Sequence, residues 1–256
     1  MNDSPTFGEE SREGQDLRAL IRSHSVEDLK RAASDPRLTE DLALSLLQRR
    51  DLPSEALEAI GKNGELVKHR RVLLALAAHV KTPRHVSLPI MRHLYSFELM
   101  QIALSSNVLA DIKRAAEDGI VARLEQTSLG ERLSMARRAS GRVAAALLLD
   151  PEPRVIEAAL DNPFLTEALV VRSLKHQKAL PPLVEILCRH SDWCHRRDIQ
   201  IALLQNENTP TERVSEYAKG LSTGLLREVL AESAVPEKTR NCMKAELELR
   251  SQKKTV

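Results

Sequence analysis

Two stretches of this chain repeat one another around a proline turn, and that repetition restricts the fold more than any other feature. Asp35-Pro-Arg-Leu-Thr-Glu-Asp-Leu-Ala43 aligns with Asn162-Pro-Phe-Leu-Thr-Glu-Ala-Leu-Val170, and Leu29, Ala32 and Ala33 align with Ile156, Ala159 and Leu160 upstream. Weaker copies run from Glu207 through Thr209, Pro210, Thr211 and Glu212 to Val214, and from Lys81-Thr-Pro-Arg to His85-Val86. The residues explain the unit. A helix ends at Asp or Asn, proline prevents its continuation, and Thr39, Thr166 or Thr211 starts the next helix. Glu40, Glu167 and Glu212 then fall in a first turn, where negative charge suits the helix dipole. Leu38 and Leu165 are placed to staple onto Ala43 and Val170. Ser25 with Asp28, and more fully Ser128 with Glu131, have the spacing of a capping box.

Pro, Gly or Asn recurs every ~12 to 20 residues, and the segments between are amphipathic and too short for long bundle helices. Neither helix of such a pair can bury its apolar stripe alone, so the pairs must stack. The expected fold is all-α: a right-handed α-α superhelix, or solenoid, of short stacked helix pairs with about fourteen helices. Aromatic residues are only 2% and glycines nine, so the core must be aliphatic, and the spacing of its leucines and alanines favours helix over strand. Residues 1–23 read as a disordered polar tail, 24–251 as the repeat region and 252–256 as a C-terminal tail. Division into two bundles near Gly141 is the alternative, weakened because no linker of useful length surrounds Ser140-Gly141.

Net charge is +2, from 38 basic and 36 acidic residues, so any polyanion-binding surface must be local. The longest uncharged runs fall far short of the ~20 residues that cross a bilayer, and the polar start has no apolar segment of a signal peptide. Cys188, Cys194 and Cys242 form no CxxC pair and suggest a reducing compartment, hence a cytoplasmic protein.

With these turns in view the chain resembles HEAT-like and armadillo-like repeat proteins, and in particular bacterial proteins of the leucine-rich-repeat-variant type. Ala202-Leu-Leu-Gln-Asn206, Asn208-Thr-Pro210, Val214, Leu225 to Leu230, Val235-Pro236 and Arg240 carry the resemblance. It implies binding through an extended surface rather than chemistry.

Three groups of residues are candidates for function. Lys62, Lys68, Arg70, Arg71, Lys81, Arg84 and Arg92 face only Glu65 and Glu98 between residues 61 and 100. If Leu66 to Val80 is one helix, Lys68, Arg71 and His79 form an outward stripe, continued by Arg84 and Arg92, that suits an acidic protein or nucleic-acid phosphates. Arg137, Arg138 and Arg142 form a second basic group, with Arg196 and Arg197 further on; only stacking can align them. Trp193, the single tryptophan, is a candidate interface anchor. Cys188, Asp192 and His195 would share one face of an unbroken helix and could hold zinc, whereas a helix cap at Ser191 or Asp192 would make the cysteines ordinary buried residues. No Gly-rich phosphate loop, GxSxG elbow or HExxH motif occurs, so catalysis, a cofactor and a small-molecule substrate are not expected. The sequence thus points to a non-enzymatic scaffold or adaptor for a protein partner, with duplex backbone binding as the alternative and an enzyme of unrecognised type as the second.

Overall fold

The computed structural model describes residues 16–176, 179–232 and 235–254. The protein is 70% helical, with 17 α-helices and no strand among the described residues, more helices than the fourteen or so expected. Part of the excess comes from the segment whose composition predicts a tail. Residues 1–15 lie outside the described residues, but residues 16–22 are helical and bury Leu17 and Ile21. The C-terminal helix likewise continues to Lys254, past the expected start of a tail.

The chain divides into two compact units, the first ending at Arg123 and the second beginning at Leu124. The first contains α1 (16–22), α2 (Val26–Ser34), α3 (Glu40–Leu47), α4 (Ser54–Lys62), α5 (Arg70–Ala78), α6 (Arg84–Met91), α7 (Ser96–Leu104) and α8 (Ala110–Val121). The second contains α9 (Leu129–Arg138), α10 (Gly141–Leu147), α11 (Pro153–Leu160), α12 (Glu167–Leu174), α13 (Pro181–Arg189), α14 (Arg197–Leu204), α15 (Thr211–Gly220), α16 (Thr223–Ala231) and α17 (Glu237–Lys254). Gly141 therefore lies inside the second unit. It starts α10 beneath the α11–α12 turn, so closely that a Cβ would stand 2.1 Å from the Phe164 carbonyl oxygen. The glycine marks a close approach of backbone, not a boundary.

Within each unit many helices pack on the helix two places along: α2 on α4, α3 on α5, α5 on α7 and α6 on α8 in the first, and α9 on α11, α10 on α12, α11 on α13, α12 on α14 and α15 on α17 in the second. The cores are aliphatic. Leu46, Leu57, Ile60, Leu76, Leu99 and Ile102 are fully buried in the first unit, as are Leu147, Val155, Ile156, Val184, Leu187 and Leu203 in the second.

The turns explain how successive layers are registered. At Asp35, His79, Asn162 and Asn206 the side chain accepts the backbone N–H two residues on, at 2.9, 3.2, 2.8 and 3.0 Å. The same residue's carbonyl accepts the N–H three residues on. Where that third residue is Thr, as at Thr82 and Thr209, its buried hydroxyl donates to the carbonyl of Leu76 or Leu203, at 2.6 Å in both. His79 thus occupies a place that asparagine fills elsewhere. Because its Nδ1 accepts the Lys81 N–H, its Nε2 carries the proton and donates to the Arg49 carbonyl at 2.9 Å.

These outward-reaching donors find carbonyls two helices back. Asn162 Nδ2 donates to Ala136 and Ala139, Trp193 Nε1 to Leu160, Ser173 Oγ to Ala145 and Asn206 Nδ2 to Leu174. Arginines do the same work on helix ends, whose last carbonyls have no partner within the helix. Arg49 reaches the Ile21 carbonyl in the last turn of α1, Arg123 those of Met91, Arg92 and Leu94 at and just past the end of α6, and Arg250 those of Ala218, Lys219 and Leu221 at and just past the end of α15.

The capping boxes divide. Ser128 and Glu131 form theirs, with Glu131 N–H donating to Ser128 Oγ and Ser128 N–H to the Glu131 carboxylate. Ser25 occupies its position but makes no side-chain cap, and it is Ser23 Oγ that donates to Asp28, at 2.6 Å. Thr39 and Thr166 also stand at helix starts without capping through the hydroxyl, while Thr211 is already inside α15, behind Pro210.

Candidate functional site

The basic stripe expected along one helix is broken by the local structure. Asn63 Oδ1 accepts the N–H groups of Glu65 and Leu66, holding Leu66–Lys68 as a single 3-10 turn, and α5 begins afresh at Arg70. Lys68 therefore ends the 3-10 turn before α5 and Arg71 lies in the first turn of α5, while His79 caps the other end of that helix. The nine-residue helix separates the two ends by roughly 13 Å. Arg84 starts α6 at the His79 end, and Arg92 follows the opposite end of α6.

Most of these cations are also occupied. Lys68 pairs with Glu65 at 2.7 Å, Arg71 with Glu40 and Asp41 of α3 at 3.7 and 3.9 Å, and Arg84 with Asp111 of α8. His69 meets Glu40 at 3.0 Å, and His85 meets Glu58 of α4 at 3.5 Å. Both ring nitrogens of His79 are held by backbone. Of the five residues, Arg92 alone is exposed without an ion pair among the described residues. The stripe is mainly a set of links between neighbouring helices, each worth little by itself at this exposure.

The residue beside them belongs to no motif in the sequence. Tyr95, just before α7, is 65% exposed, and the Arg70 guanidinium lies over its ring, 3.5 Å from the centroid. Arg70 is gripped by both oxygens of Glu98 and also donates to the His93 carbonyl. Glu98 in turn accepts the Tyr95 N–H at 2.7 Å. Partial burial pushes the Glu98 carboxyl up, but the Arg70 guanidinium and the Tyr95 N–H outweigh this and hold it below its ordinary value. The ring is thus set in place by a closed network, and Phe97 beside it is 37% exposed. The only sequence signal was an aromatic pair flanking a serine at a helix start.

In the second unit Trp193 is buried, with Nε1 on the Leu160 carbonyl at 2.9 Å and the Arg196 guanidinium 4.1 Å from its ring centroid. It anchors one layer to the previous one and is not an exposed interface residue. The helical premise for a Cys188, Asp192 and His195 zinc set fails, because α13 ends at Arg189. Cys188 is buried on that helix, Asp192 and His195 are exposed in the turn after it, and among the described residues no three His, Cys, Asp or Glu side chains converge as a metal site. Burial pushes the Cys188 thiol up, and the same cause, reinforced by Cys188, raises the Tyr217 hydroxyl. These are groups held neutral in a core. An open cleft of about 690 Å³ lies between the ends of α12, α14 and α16, with Leu174 and Ala202 among its lining and Lys175, Glu207 and Glu232 as charges of mixed sign.

No family model, curated protein or solved structure matches this chain. The resemblance to HEAT-like repeats therefore rests on the turn residues themselves.

Proposed function

We propose that this chain is a non-enzymatic scaffold that binds a protein partner, and that the binding edge of its first unit centres on Tyr95, Phe97 and Arg92. The observation that carries this is the preset Tyr95 ring. A tyrosine held open to solvent by an Arg–Glu clamp offers a large contact area, and little side-chain freedom is lost when a partner covers it. The packing of many helices on the one two places along supports a stacked superhelix of the HEAT-like kind within each unit, which presents such an edge without reordering. No described helix is long and apolar enough to cross a membrane, and the buried thiols of Cys188 and Cys194 fit a reducing, cytoplasmic setting. Duplex binding through the stripe loses support, since Lys68, Arg71 and Arg84 are paired and His79 is tied to backbone.

The test is purification of the tagged protein from its source cells after nuclease treatment, with wild type, Tyr95→Ala/Phe97→Ala and Arg84→Glu compared. A protein retained by wild type and by Arg84→Glu but lost by the aromatic double variant supports the reading. A partner retained equally by all three overturns the assignment of the edge, and no protein partner at all overturns the scaffold.

A further inference from the structure

The second unit contains a surface that sequence could not assemble. Asn162 ties the α11–α12 turn to the end of α9, Trp193 ties the α13–α14 turn to the end of α11, and Arg196 pairs with Glu167 of α12 at 3.7 Å. Three turns are thereby laid side by side. Arg137 and Arg138 occupy the last turn of α9, with Arg142 at the start of α10. Phe164 belongs to the middle turn, its carbonyl seated on Gly141, and its side chain is 53% exposed. Arg196 and Arg197 open α14 on the far side. A solvent-facing aromatic ring thus stands between two arginine pairs, each one helix layer, or about 10 Å, away.

We infer that this edge binds single-stranded nucleic acid, with a base stacked on Phe164 and neighbouring phosphates on the flanking guanidinium groups. Arginine on either side of an open ring is the combination that sequence-tolerant single-strand binding uses, because every base has a π face and every linkage a charge. The spacing fits. A strand lying across three adjacent turns covers about 20 Å, a span of a few nucleotides. Glu167 and Arg196 offset each other, which leaves Arg197 as the unpaired cation on the far side, while Asp161, 3.4 Å from His190 Nε2, is largely exposed on the middle turn. Asp192 and Asp198 are exposed beside the third turn and set the limit on its positive charge. Arg137, Arg138 and Arg197 are exposed with no ion pair among the described residues. An acidic protein segment would use the same arginines but would have no need of the ring, which is what separates the two.

The experiment is fluorescence anisotropy of a labelled single-stranded thymidine 15-mer with the full chain at several salt concentrations, set beside a labelled poly-glutamate peptide. All substituted side chains are exposed, and circular dichroism of each variant checks the fold. Phe164→Ala is expected to weaken oligonucleotide binding by about fivefold or more and to leave poly-glutamate unchanged. Arg137→Gln/Arg138→Gln is expected to make the slope of log affinity against log salt shallower by about 1.4, the loss of two phosphate contacts. Absence of oligonucleotide binding at low salt overturns the proposal, as does binding that ignores these substitutions. Poly-glutamate binding at least as tight as the oligonucleotide's, with no effect of Phe164→Ala, overturns it in favour of an acidic protein ligand.

Discussion

At the scale of single residues, the most informative position is His79, because one imidazole performs both tasks of the asparagine in the sister turns. Asparagine at this place keeps an acceptor for the Lys81 N–H and a donor toward Arg49, whereas alanine leaves both backbone groups without the side-chain partner. His79→Asn is expected to cost under about 1 kcal/mol and His79→Ala about 1–3 kcal/mol, read from chemical denaturation. Equal losses would mean that the ring matters only by filling space. Gly141 gives a second case where two effects oppose. Alanine in a helix is favoured over glycine by up to about 1 kcal/mol. The added Cβ would meet backbone, the Phe164 carbonyl, at 2.1 Å, and displacing packed groups costs about 1–3 kcal/mol. Gly141→Ala is therefore expected to lower the melting temperature, and an unchanged or raised value would show that the α11–α12 turn yields freely. Sequence revealed that Gly141 was special but not why, since the atom it makes room for is 23 residues away. The arginines at helix ends were illegible for the same reason: nothing near Arg49, Arg123 or Arg250 in sequence says that carbonyls two helices back need donors.

At the scale of helices, the punctuation was readable where proline supplied it. Pro53, Pro83 and Pro210 stand just before α4, α6 and α15, and Pro153 and Pro181 begin α11 and α13. It was unreadable at the start of α5, where a 3-10 turn over Leu66–Lys68 ends at His69 with no glycine or proline between Leu66 and Arg70, so the stripe expected along one helix runs through a segment with two axes. The join of α5 to α7 through Arg70 and Glu98 has its own signature in pH. The folded Glu98 carboxyl is held below its unfolded value, so its contribution is fully present above the ordinary carboxylate range and lost as pH falls through the folded value. The denaturation midpoint is expected to fall on acidification below that range, and to fall less steeply in Glu98→Gln. An identical acid profile in the variant would remove Glu98 from the account.

At the scale of the molecule, short-range spacing sufficed to give an all-helical chain, since most helices carry their own start and stop residues. It did not show the division after Arg123, because no linker composition marks it. A chain ending at Arg123 retains the guanidinium that caps α6 and every helix of the first unit. It is expected to unfold as a single cooperative helical transition by circular dichroism; a fragment without that transition would show that the first unit does not fold alone.

The reach of the His79, Asn162, Trp193 and Asn206 turns to a carbonyl two helices earlier also bears on how such a chain can change length. A single deleted helix would bring the donors whose targets lie across the deletion opposite the wrong end of a helix, so that a loss of α10, for example, would cost the hydrogen bonds from Asn162 to the end of α9. A deleted pair restores the match. Insertions and deletions in an array built this way are quantised in helix pairs, and loop insertions are tolerated only where the turn has no side chain pointing back, so the growth of the fold is governed by its polar keys as much as by its apolar core.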